Sequence, residues 1–322
     1  MTGTPETMTE TPQLDEALEQ LRLDGAIFFR SEFSESWSFE SAPESAAGML
    51  RPGAERLLYF HIVVEGECWT TIGDGERFWA SKGDVVVVPY GHQHAMGGAE
   101  DAECVPIMKL IDPPPWESLP FLEHGGGGPR CDIVCGYLHS DDPLFDPRMA
   151  ALPPIFVVRP GEAAQRWVDA SIQYALDAAA GRKGAAAAPI RLSELLVTEI
   201  LRLHLASAPS SDHGWIAALR DPVLAPALAE LHSRPEHKWT VAELASSTAV
   251  SRSLLDERFR RVLGRPPIRY LTDWRMHLAQ GLLSSTTLTV AQVAPRVGYE
   301  SVEAFSRAFK RAYGKTPSAA RA

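Results

Sequence analysis

The chain has 322 residues, 45% hydrophobic and 22% charged, with 31 Lys and Arg against 41 Asp and Glu for a formal net charge of −10. That composition supports buried cores and excludes a disordered acidic chain. Taken whole, the negative charge argues against nucleic-acid binding, because phosphate contacts need local positive charge.

The charge is segregated. Residues 1–219 hold 15 basic and 32 acidic side chains, a net of −17, whereas residues 220–322 hold 16 and 9, a net of +7. Residues 1–13 show neither a basic n-region nor an apolar h-region, and read as a disordered tail without a secretory signal. No apolar run approaches the ~18–20 residues that span a bilayer, so no membrane partner is expected. Four cysteines do not make a disulfide framework. The expectation is a cytoplasmic protein with reduced thiols.

In chain order, residues 26–110 read mostly as strands. Leu57 to Val64 is a buried-strand run, Cys68 to Ile72 alternates into the turn Gly73-Asp74-Gly75, and Val85 to Val88 ends at Pro89. Short strands with turns between them imply a sandwich or barrel. Residues 112–130 read as a loop, with Pro113 to Pro115 and a glycine run from Gly125 to Gly128. His124 before that run resembles an esterase oxyanion loop, but no G-x-S-x-G elbow exists in the chain.

Residues 162–207 switch to a helical period, split by Gly181 to Gly184. The second helix presents Leu192, Leu195, Leu196, Glu199, Ile200, Leu203 and His204 as its expected face. This pair either dimerises or packs on its own barrel. Residues 209–219 read as a linker.

The C-terminal hundred residues carry two helix-turn-helix patterns, over 239–264 and 289–314. Thr240 caps a short helix with Leu244 and Ala245 inward. Ser251 then caps a second, ended by Gly264, with Leu254, Leu255, Phe259, Val262 and Leu263 inward. The layout repeats: Thr289 caps, Gly298 turns, Ser301 caps, and Gly314 ends a helix with Ala304, Phe305, Ala308, Phe309 and Ala312 inward. A helix from Pro267 to Leu283 joins the units, with Leu271, Trp274, Leu278 and Leu282 on one side. Pro295 removes one backbone hydrogen bond from the short helix before Gly298, which predicts shortening or a kink.

The repeat Ser251-Arg252-x-x-Leu255-x-x-x-Phe259-Arg260 against Ser301-x-x-x-Phe305-x-x-x-Phe309-Lys310, with Val297-Gly298-Tyr299-Glu300 before it, resembles the AraC/XylS family of transcription regulators over roughly 220–320. The resemblance implies a DNA-binding domain over 220–322, a regulator rather than an enzyme, a homodimer, and double-stranded promoter DNA as partner. RNA polymerase joins the partners if the chain is an activator. It places Ser253, Asp256 and Glu257 toward bases in one major groove and Glu303, Ser306 and Arg307 in the next. Arg260, Arg261, Lys310 and Arg311 would contact phosphate. Asp256 and Glu257 repel phosphate, so the second unit is expected to carry more of the affinity.

Upstream, Gly83-x5-Pro89-x-Gly91-x2-His94 resembles the second motif of the cupin β-barrel, and the likeness extends over roughly 14–205, in a domain expected over 14–208. It implies a sensor domain for an unknown effector. A divalent metal is one cofactor such a barrel would hold, on His61, Glu65, His92 and His94. The first cupin motif is incomplete, since Tyr59 stands where its first His would be. Some relatives with this cupin type answer reactive chlorine through thiols, which makes Cys68, Cys104, Cys131 and Cys135 candidate redox residues. Cys131 and Cys135 lie about 13 Å apart on one strand face, too far to bond each other. The fold expected is therefore a cupin-like β-barrel with a helical dimerisation and linker region, followed by an all-α double helix-turn-helix. The alternative is a cupin metalloenzyme with an appended DNA-binding module.

Overall fold

The structure is a computed structural model that describes residues 23–320 except 53, 55, 114–115, 117–118, 141, 148–150, 181–189 and 208–213. The expected tail over 1–13, the break from Gly181 to Gly184 and the first half of the expected linker lie outside the described residues. Two compact units result, one from Gln20–Ser140 with Pro153–Ala208, the other from Asp141–Leu152 with Pro209–Ala322.

The first unit holds β1 (Asp24–Ser34), β2 (Ser38–Glu40), β3 (Leu58–Glu65), β4 (Glu67–Thr71), β5 (Phe78–Ser81), β6 (Val85–Val88), β7 (Ala95–Gly97), β8 (Val105–Pro106), β9 (Phe121–Gly125), β10 (Arg130–His139) and β11 (Phe156–Val158). A six-stranded sheet runs β11-β6-β3-β10-β1-β9 and a five-stranded sheet runs β5-β4-β7-β2-β8. One core fills the space between them, with Phe33, Tyr59, Val63 and Ile133 from the first sheet against Phe39, Cys68, Ala80 and Met96 from the second. The two sheets face each other without closing into a ring of strands.

Several strands are apolar on both faces. In β3, Tyr59, His61 and Val63 point between the sheets, while Leu58, Phe60 and Ile62 are buried on the opposite side. Helix α3 (Ile190–Ser207) packs on that outer side, against β1, β10 and β11. Covered strands need no polar alternation, which explains the unbroken Leu57–Val64 and Val85–Val88 runs. The face α3 buries is rotated from the expected one: Leu196, Val197, Ile200, Leu201 and Leu205 are buried, and Leu195 is 61% exposed. Helix α2 (Glu162–Ala180) precedes it, and a short α1 (Ala47–Leu50) follows β2. The 112–130 stretch is not loop throughout, because Phe121 to Gly125 pairs in parallel with β1.

The second unit contains α4 (Trp215–Arg220), α5 (Leu224–Ser233), α6 (Val241–Ser247), α7 (Arg252–Leu263), α8 (Pro267–Ser285), α9 (Val290–Arg296) and α10 (Val302–Tyr313). The expected linker is helical from Trp215, and Ala218 is fully buried in the first of two cores. That core joins α4 to α7 with Tyr270 and Leu271 of α8. Met276, Ala279 and Leu283 of the same helix belong to the second core, with Val293, Phe305 and Phe309. Lying between two cores, α8 is apolar on more than one side, and a single stripe underestimates its burial.

Candidate nucleic-acid interface and effector pocket

The second helix of each helix-turn-helix repeat, α7 and α10, is fixed at both ends by local chemistry. Ser251 Oγ accepts from the Leu254 N–H at 3.2 Å, and Ser301 Oγ accepts from the Ala304 N–H at 3.1 Å. Gly264 and Gly314 close α7 and α10 in the left-handed conformation, at φ 67° and 72°. Thr240 caps α6, and Thr289 with Gln292 forms a reciprocal capping box on α9. Pro295 leaves α9 at 7 residues, the length of α6, since the helix ends one residue later.

Anchored by Leu255, Phe259, Phe305 and Phe309 at 0% exposure, the two helices turn their polar faces outward. Ser253, Glu257, Arg260 and Arg261 are exposed on α7, and Glu303, Arg307, Lys310 and Arg311 on α10; Asp256 and Ser306 are half-buried. Within α7, Arg260 Nε pairs with Asp256 Oδ2 at 2.7 Å. That pairing partly neutralises Asp256 and holds one of the two arginines expected to face phosphate. No such ion pair is found for Arg307 among the described residues. Among the described residues, Arg261 of α7 likewise has no ion pair, so each helix keeps exposed cations on its outer face.

Within the helical unit, a residue not singled out from the sequence links the two helix-turn-helix repeats. Arg275 of α8 donates from Nε to the Pro235 carbonyl at 2.7 Å and from a terminal nitrogen to the His237 carbonyl at 2.8 Å. Its guanidinium lies 5.9 Å from the Tyr299 ring centroid and directly under Gly298. A Cβ on Gly298 would stand 2.5 Å from that guanidinium, so the turn of the second unit requires glycine there.

In the sheet unit, the candidate ligand residues separate. His61 and His94, 2% and 1% exposed, meet with their Nε2 atoms 2.8 Å apart. Glu65 is exposed and pairs with Lys82 at 2.6 Å, while His92 Nδ1 faces Glu44 at 3.0 Å. Two of the four residues thus converge, fewer than the three or four protein ligands usual for a bound zinc ion. The donor set does not fit a metal centre.

Their protons follow from the contacts. The His92 carbonyl, 2.9 Å from His94 Nδ1, can only accept, so that nitrogen carries the proton. His94 Nε2 must then accept from His61 Nε2–H, and His61 Nδ1 accepts the Cys135 S–H at 2.9 Å. Burial lowers His94 to about 4 and holds His61 well below its ordinary value, so both imidazoles are neutral. Cys68, Cys131 and Cys135 are buried and Cys104 is exposed. A hydrogen bond to Cys131, then burial, pushes the Cys68 thiol up, and burial does the same to Cys135. Protonated, enclosed thiols are poor nucleophiles.

Beside these histidines a narrow, partly open cavity reaches between the sheets, and about 50 Å³ of it has room for water-sized molecules. Phe29, Phe39, Leu50 and Ile107 wall it, with Met49, Met108 and Trp116 toward solvent. Tyr59 also lines it; burial first, then the Glu44 charge, raises its phenol to about 12.

Residues 13–206 match the family described as cupin, and residues 244–322 match the helix-turn-helix domain family. The chain is 30% identical to the HTH-type transcriptional regulator AlkR of Acinetobacter baylyi, across 82% of this chain and 87% of that protein. To the RCS-specific HTH-type transcriptional activator RclR of Escherichia coli it is 26% identical, across 82% and 84%. A putative AraC-like transcription regulator of Streptomyces antibioticus is 48% identical over 39% of this chain, and the match spans 42% of that relative's length. Among solved structures, the DNA-binding domain of AdpA in complex with a target DNA is 34% identical, covering 31% of this chain and 90% of that one with a TM-score of 0.30.

Proposed function

The chain belongs to the AraC-like transcription regulators, with a cupin domain ahead of a helix-turn-helix domain, and from that membership we propose that it binds promoter DNA through α7 and α10 and answers to an effector held by its sheet unit. The observation that carries the reading is the pair of similarly capped helices with outward polar faces, α10 bearing Arg307, Lys310 and Arg311. Base edges are read by Arg307, and phosphates are held by Lys310 and Arg311. Arg307→Ala should cost roughly 1–3 kcal/mol on the selected site and relax its specificity. Lys310→Ala should weaken all sequences alike and flatten the salt dependence. A gel-shift titration in which Arg307→Ala binds its site as tightly as the parent would remove that residue from base reading.

The acting form in this reading is a cytoplasmic homodimer without a catalytic step. Trp167 and Tyr174 on α2 and Leu195 on α3, 38%, 62% and 61% exposed, supply the apolar surface for self-association. Leu195→Asp with Tyr174→Asp should shift sedimentation from dimer to monomer while leaving the melting curve in place. An unchanged dimer would move the interface elsewhere.

A further inference from the structure

Resting on that effector reading, we propose that the cavity between the sheets takes a neutral, mainly apolar ligand carrying one hydrogen-bond-accepting atom, and that Tyr59 Oη is its anchor. The walls decide the class. Phe29, Phe39, Leu50 and Ile107 offer apolar contact only, and among the described residues no Lys or Arg lines the space. Asp112 stands exposed in the lining, and Glu44 acts electrostatically on Tyr59. An anionic headgroup would enter against two carboxylates with no cation among the described lining residues to meet it.

The polar inner wall is already committed. His61 Nε2 and His94 Nε2 are bonded to each other, His61 Nδ1 to Cys135, and His94 Nδ1 to the His92 carbonyl. Ser41 Oγ accepts from the His94 N–H. A sugar or other polyol, which needs many partners, would find almost none. Tyr59 is the exception. It is 4% exposed, and its Oη has no hydrogen-bond partner among the described residues. Trp37 Nε1 and Thr70 Oγ1 are also unpartnered in this core, but neither residue lines the cavity. Buried hydroxyls are normally bonded, so a phenol left open beside an apolar space marks where a ligand acceptor completes the set. Met49 and Met108 in the lining, 49% and 40% exposed, supply adaptable side chains for entry.

The test uses three probes with one apolar body: 2-acetylnaphthalene, naphthalene and 2-naphthoate. They are titrated into the full chain and followed by naphthyl fluorescence. The ketone should bind, and the carboxylate should bind at least tenfold more weakly. Tyr59→Phe should weaken the ketone roughly 3- to 10-fold while changing naphthalene less than 2-fold. Ala42→Trp, which fills the cavity from a half-buried lining position, should weaken the ketone and naphthalene alike. Parent-like melting curves for both variants establish that they fold. Carboxylate binding equal to the ketone, a Tyr59→Phe variant that binds the ketone unchanged, or no probe binding at all would each overturn the proposal. Gel shifts on duplexes selected from a random library, with the same preparations, separate the two readings. DNA binding without probe binding sinks the ligand class alone, and probe binding without DNA binding sinks the regulator reading alone.

Discussion

Two turns in the helical unit impose the same steric demand and meet it differently. Val250 N–H reaches the Ala245 carbonyl and Tyr299 N–H reaches the Ala294 carbonyl, both at 2.9 Å, so Ala249 and Gly298 occupy equivalent places. Both are left-handed, at φ 56° and 77°. An L-residue there costs roughly 1 kcal/mol. Ala249→Gly should therefore recover part of it, raising stability by about 0.5 kcal/mol once the added chain freedom of glycine is set against the relief. Gly298→Ala should lose about 1–3 kcal/mol, because its Cβ meets a guanidinium held by two carbonyls and has no cheap way to yield. Denaturant melts measure both, and equal effects of the same sign would contradict the assignment. The glycine was legible in the sequence as a turn residue. The arginine beneath it was not, because its partners Pro235 and His237 lie 40 and 38 positions away.

At the scale of elements, α8 sets the relation between the two reading helices. It contributes Tyr270 and Leu271 to one core and Met276, Ala279 and Leu283 to the other, and Arg275 sits between these groups. Arg275→Ala should weaken a site that engages both helices by about tenfold, the scale of one lost charge-assisted hydrogen bond. Binding to either half of the site should change little. Equal losses on full and half sites would show that Arg275 acts on stability alone. The caps and stops of α6, α7, α9 and α10 were legible because they depend on contacts three to five residues apart. Faces were less so: α3 was rotated and α8 was given one side, since a helix between layers does not keep a single polar stripe. Strand β9 was hidden because its pairing with β1 is parallel and nonlocal, and because the glycine run that follows it reads as loop.

Across the whole molecule, the net charge hid the function until it was divided. A net of −17 over residues 1–219 masks +7 over residues 220–322. Each half alone speaks plainly, the second of polyanion contact and the first of none. His61, Glu65, His92 and His94 form one candidate ligand set in the sequence. In the structure only the two imidazoles of His61 and His94 meet, while Glu65 pairs with Lys82 and His92 with Glu44. Tyr59, read merely as a gap in a motif, became the open hydroxyl of the cavity.

Residues Asp141–Leu152 leave the sheet unit after β10 and return to it before β11, yet they group with the helical unit. There Asp146, 2% exposed, lies 3.2 Å from His277, and Leu144 and Phe145 are buried. The two units are therefore interleaved along the gene rather than joined end to end. A cut at residue 208 severs the chain without separating the units: the C-terminal product loses a buried segment of its own fold, and the N-terminal product retains it as a stray loop. Dissection of this protein into independent halves should yield a helical fragment that melts below the same unit in the full chain.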